Sequence, residues 1–93
     1  MIRHIVFHKY TQPQQAQVIA PLLRALVGKV PGLVSMEAGA DFLHSERSYD
    51  LALIATLQDR AALEVYASHP EHVKIKELAH KYIEKTVAVD FEF

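Results

Sequence analysis

Six histidines and four tyrosines, with no cysteine, define the chemistry open to this 93-residue chain. Imidazole titrates near neutrality, so His4, His8, His44, His69, His72 and His80 are the first candidates for a general acid or base. Without thiols there can be no disulfide, thiolate nucleophile or cysteine metal site. A histidine metal centre fails on spacing. His4 and His8 share one phase of a strand but stand about 13 Å apart, and His72 and His80 are about 12 Å apart along a helix. No Gly-rich phosphate loop and no nucleophile elbow occurs. We therefore expect no cofactor and no side-chain metal site, although an ion held by backbone carbonyls would leave no trace in a sequence. What remains is proton transfer, with Tyr66 and His72 as donor and base for an enolisable carbonyl. His69 precedes Pro70 and fits a helix cap or a ligand contact; His44 falls in a polar, solvated stretch.

Those groups need a scaffold. Residues 2–10 alternate and are rich in β-branched and aromatic types, which predicts a first strand. Pro13 opens a helix over 13–29, with Val18, Ile19, Leu22, Leu23, Leu26 and Val27 as its apolar stripe and Pro21 as a mild kink. Gly28 and Pro31-Gly32 end it. Strands follow over 33–39 and 49–57, separated by a polar loop. Asp59 caps a helix over 60–68. After Pro70 a last helix over 71–85 turns Val73, Ile75, Leu78, Ala79 and Tyr82 inward, and 86–93 is the last strand. The order β-α-β-β-α-α-β in one domain, 1–93, predicts an α+β, ferredoxin-like fold: a four-stranded antiparallel sheet with helices on one face.

In that topology the first and last strands are antiparallel neighbours. Pairing their centres sets Val6 against Ala88 and His4 opposite or diagonal to Asp90, within about 5.5 Å. Asp90 would then fix the tautomer of His4; a purely structural His–Asp pair is the alternative. Tyr66 and His72 flank the Pro70 break, so both can stand above His4, or can merely pin the helix junction to the sheet. On the same side lie Val6, His8, Ile19, Leu23, Leu53, Ala55, Ile75 and Ala88. They either fill the core or enclose the apolar part of a small ligand.

The other face of the sheet is apolar too. Ile5, Phe7, Val87, Val89 and Phe91 share it, and one layer of helices cannot reach them. Such a patch is at or beyond the largest that a monomer normally exposes. A second copy packed about a two-fold axis would cover it, so we expect a homodimer. The net charge is −1, from 10 basic and 11 acidic residues. With no basic block, neither nucleic acid nor an anionic membrane is an expected partner. No apolar run approaches the roughly 18 residues of a membrane span. The opening residues are too interrupted for a signal peptide, so the expected location is the cytoplasm.

Several stretches together carry a family resemblance: Tyr66-Ala67-Ser68-His69-Pro70-Glu71-His72-Val73, the opening Ile2-Arg3-His4-Ile5-Val6-Phe7, the turn Pro31-Gly32, and Val89-Asp90-Phe91. The chain resembles the stress-responsive dimeric α/β-barrel family over essentially its whole length. The resemblance implies homodimers whose two sheets pack face to face into a barrel. One plant polyketide cyclase of that family closes a linear tetraketide by an aldol reaction, using a strand His, a Tyr and a helix His. The matching positions here are His4, Tyr66 and His72, with Asp90 as the acidic residue of the last strand. Three functions are therefore in view. The first is small-molecule binding in a His/Tyr-lined pocket. The second is a cofactor-independent cyclase, isomerase or lyase using His4, Tyr66 and His72. The third is a haem- or quinone-type monooxygenase of the same fold.

Overall fold

A computed structural model describes residues 1–93. Its elements are β1 (Ile2–Tyr10), α1 (Ala16–Arg24), β2 (Leu33–Ala40), β3 (Leu51–Leu57), α2 (Arg60–Ser68), α3 (Pro70–His80) and β4 (Ile83–Glu92), with a 3-10 turn over Pro13–Gln15. The strands form one sheet in the order β2-β3-β1-β4, and every pairing is antiparallel. The fold is α+β and ferredoxin-like, as the element order predicts. The register of β1 on β4 sets Val6 against Ala88 and His4 against Asp90, which is the centre-to-centre pairing expected.

Alternation along β1 separates the two faces of the sheet. Ile2, Val6 and Tyr10 point under the helices and are buried. They join Leu51, Leu53, Ala55 and Leu57 of β3 and Ile19 and Leu23 of α1 in the core. The opposite face carries no helix, and Phe7, Val87, Val89 and Phe91 are 40–62% exposed on it. Loop residues Phe42 and Leu43 are more exposed still, at 89% and 69%. No helix is long and apolar enough to cross a membrane.

Several element boundaries differ from those predicted from the sequence. The predicted helix 13–29 is a 3-10 turn followed by only nine α-helical residues. Gln12 supplies no side-chain cap. At the far end the chain tightens into turns, with Leu26 N–H donating to the Leu23 carbonyl, and Gly28 takes a φ of +90°. That conformation suits glycine alone. The buried stripe is Ala16, Ile19, Ala20 and Leu23, whereas Val18, Leu22 and Val27 face solvent. Pro21 lies within α1 on its exposed side and leaves the helix one backbone donor short. The third strand begins at Leu51 rather than at residue 49. Asp50 is diverted because its carboxylate accepts the Tyr10 N–H at 2.7 Å and its own N–H donates to His8.

The last helix stops at His80, not at residue 85, because residues 83–85 join β4. Ile83 pairs with Tyr10 and Lys85 with Lys9, and the Thr11 N–H donates to the Tyr82 carbonyl at 2.7 Å. Ladder bonds to a strand that is already placed outweigh helix propensity there. Asp59 caps α2 as expected, accepting the Ala62 N–H at 2.8 Å. Gly32 lets β2 start beneath α2: its φ is +83° and an added Cβ would stand 2.6 Å from the Ala62 Cβ.

Candidate functional site

The site begins with the short break between α2 and α3. Pro70 cannot continue α2, so His69 turns extended and becomes the cap of α3, its Nδ1 accepting the Glu71 N–H at 3.1 Å. His72 then falls in the first turn of α3. Its Nδ1 donates to the Tyr66 carbonyl at 2.8 Å, since a carbonyl can only accept. That bond folds the His72 ring back over Tyr66, with ring centroids 4.0 Å apart. Tyr66 in turn meets the His4 ring edge-on at 5.7 Å. The His4 Nδ1 is held by the Asp90 carboxylate across the β1–β4 pair. Two loops of sequence separation thus close onto one column of three rings.

Each ring has a defined protonation chemistry. Burial pushes His72 down to about 4, and positive charge on Lys76, His4 or His8 pushes the same way, while the Tyr66 carbonyl opposes them. His72 is therefore neutral at pH 7, with its proton on Nδ1 and a bare Nε2. His4, with Nδ1 on a carboxylate, likewise leaves Nε2 as its free nitrogen. Tyr66 is only 1% exposed, and burial raises its phenol, which stays protonated. Its hydroxyl is buried with no hydrogen-bond partner in the protein. An orphaned buried hydroxyl is rare in folded proteins and points to a water or ligand atom that completes it.

These rings line a cavity of about 360 Å³ between the sheet and the helices, within the range of small-molecule sites. Of the residues expected there, His4, Val6, His8, Ile19, Leu23, Leu53, Tyr66, His72 and Ile75 line it. Four do not. Ala55 is fully buried in the core. His69 is committed to its cap. Asp90 stands behind His4. Ala88 lies on the helix-side phase but is exposed, because β4 is an edge strand that the helices leave largely uncovered. The wall also includes residues not assigned to the pocket from the sequence, among them Lys76, Ala79, His80, Ile83 and Thr86. The spacing of His72, Lys76 and His80 by four residues was a usable signal, since i, i+4, i+8 positions share one helix face. No three His, Asp or Glu side chains are grouped to hold a metal ion.

Polar and apolar groups are unevenly divided in the cavity. Aliphatic side chains from β1, β3, α1 and α3 make most of the wall, and the imidazoles and the phenol supply a few directed polar atoms. A bare imidazole nitrogen stacked on a protonated phenol can remove a proton beside a carbonyl while the oxygen accepts a hydrogen bond.

Comparisons with known proteins agree with the fold. The family model of the stress-responsive A/B barrel domain matches residues 2–93. A dimeric ferredoxin-like protein of unknown function from Thermobifida fusca is 27% identical, with a TM-score of 0.85 over 99% of this chain and 90% of that one. A dimeric protein of unknown function and ferredoxin-like fold from Bacteroides fragilis is 25% identical, with a TM-score of 0.84 over 99% and 95%. The hydroxynitrile lyase of Passiflora edulis shares the fold at 20% identity, with a TM-score of 0.78 over 97% and 90%. A comparison with curated proteins gives no match.

Proposed function

The chain belongs to the stress-responsive A/B barrel domain family, and from that premise we propose that it works as a homodimer that binds one small, largely apolar carbonyl ligand per subunit. The observation that carries the ligand reading is a cavity of about 360 Å³ walled by Tyr66, whose buried hydroxyl has no partner, and by His72, whose Nε2 is bare. The dimer rests on the open sheet face. Phe7, Val87, Val89 and Phe91 are each about half exposed, and covering them contributes about 1 kcal/mol apiece. Dimeric proteins of the same fold, at 25% and 27% identity, support it. The cavity lies on the opposite side of the sheet, so a partner on the open face leaves it reachable.

A second reading makes the site catalytic, in the manner of a cofactor-independent lyase, isomerase or cyclase. The pairing of a neutral imidazole with a protonated phenol favours it: His72 Nε2 takes the proton α to the carbonyl, and Tyr66 donates a hydrogen bond to the developing enolate oxygen. Return of the proton to carbon regenerates both groups. The hydroxynitrile lyase of Passiflora edulis, which shares the fold at 20% identity, is in keeping with this reading. The monooxygenase reading has only the fold in its favour, which is weak ground for function.

One experiment addresses both readings. The protein is incubated with undecan-2-one in D2O, and ligand-induced stabilisation and α-deuterium uptake are followed together. Stabilisation of the folded protein supports binding. Deuterium uptake that His72→Ala abolishes, with the dimer intact, supports catalysis. Uptake unchanged in His72→Ala removes His72 from the mechanism, and a ketone that neither stabilises nor exchanges overturns the carbonyl reading.

A further inference from the structure

Four histidines, from β1 and α3, line the cavity. His8 lies four residues beyond His4 on β1, about 13 Å along the strand. His80 lies eight residues beyond His72 on α3, about 12 Å along the helix. Both line the cavity together with His4 and His72.

The tautomer of His8 follows from its neighbour. The His8 Nδ1 stands 2.8 Å from the Tyr10 hydroxyl, and Tyr10 is only 2% exposed. An imidazole donating at that contact would leave the buried phenol proton with no acceptor, which folded proteins avoid. The phenol therefore donates, and burial together with the Asp50 carboxylate keeps it protonated. Nδ1 is bare, so a neutral His8 carries its proton on Nε2. Burial lowers the proton affinity of the ring and favours that neutral form. His8 is thus the mirror of His72: one offers an N–H from Nε2, the other a lone pair there.

The Asp50 carboxylate that acts on Tyr10 is not part of the cavity wall. Lys76 and His80 line the same cavity, the Lys76 ammonium donating to the Ala67 carbonyl at 2.8 Å; Thr86 adds a hydroxyl, and no carboxylate lines the wall. A group that only accepts hydrogen bonds and carries negative charge is the complement of such a wall.

We propose that His8 is the anchoring residue of this cavity, donating its Nε2–H to the carboxylate of an elongated amphipathic acid whose other end reaches His4, Tyr66 and His72. The inference rests on the ligand-binding reading above and adds the substrate class: an apolar chain with a terminal acid. Tyr10 is a positioning residue, acting through the tautomer it imposes on His8.

The probe is decanoate, with decan-1-ol as its uncharged counterpart. In long-range 1H–15N spectra of the imidazoles at neutral pH, His8 shows a protonated Nε2 and a bare Nδ1, and Tyr10→Phe loses that preference. Decanoate binds about tenfold more tightly than decan-1-ol, the effect of one charge-assisted hydrogen bond. His8→Leu removes the difference, and His8→Gln, which keeps an N–H at similar reach, retains most of it. A His8 ring protonated on Nδ1, or decanoate affinity unchanged in His8→Leu, overturns the His8 assignment and leaves the cavity a ligand site. Failure of decanoate, decan-1-ol and undecan-2-one alike to bind overturns the ligand reading itself, and the anchor with it.

Discussion

Acidification should unfold this protein through His72. The native ring takes up a proton only near pH 4, whereas the ring in an unfolded chain does so near its ordinary 6.5. As the pH falls below about 6.5 the unfolded chain gains a proton that the native state refuses, so stability is full above that value and is lost progressively down to about 4. Linkage with these two values gives a loss of about 2 kcal/mol at pH 5 and about 3 kcal/mol at pH 4. The ring is only half-buried against the cavity, so solvent screening makes both figures ceilings. His72→Asn isolates the effect, because the asparagine amide can keep the hydrogen bond to the Tyr66 carbonyl but does not titrate. Urea unfolding of wild type and variant at one protein concentration, from pH 7.5 to 4, is the assay. The two stabilities should differ by a constant at pH 7 and above, with the wild type falling away from the variant below 6.5. Parallel profiles across the whole range would show that His72 takes up its proton equally in both states. Burial would then not be what holds the ring neutral.

Two further outcomes follow from the same geometry. Val89→Lys places a charge at the centre of the open sheet face, where Val89 is 62% exposed, and should convert a dimer to a 10.5 kDa monomer in sedimentation; a species of unchanged mass would remove this face from the interface. Tyr66→Phe deletes a buried hydroxyl that has no partner, so it should leave stability unchanged or raise it by up to about 1 kcal/mol while weakening undecan-2-one binding. A clear drop in the urea midpoint would mean that the hydroxyl is already bonded in the ligand-free protein.

Much of the architecture was legible because it depends on local chemistry and on period. The alternation of β1, the Asp59 cap and the Pro70 break each act within a few residues. Centre-to-centre pairing of two strands of known length was enough to place His4 opposite Asp90. Helix limits were less legible. Residues 83–85 suit a helix as well as a strand, and what decides is the free edge of β1 waiting beside them.

The sequence by itself determined the element order, the two-faced sheet and the set of side chains able to move protons, because these follow from residue type and spacing along the chain. Only the tertiary structure decided which nitrogen of each ring carries the proton. The partners that set this, the Tyr66 carbonyl for His72 and the Tyr10 hydroxyl for His8, act through distances of a few ångströms and through burial. It also decided that Ala88 stands open, since coverage of β4 depends on how far α3 extends across the sheet, and no periodicity encodes that.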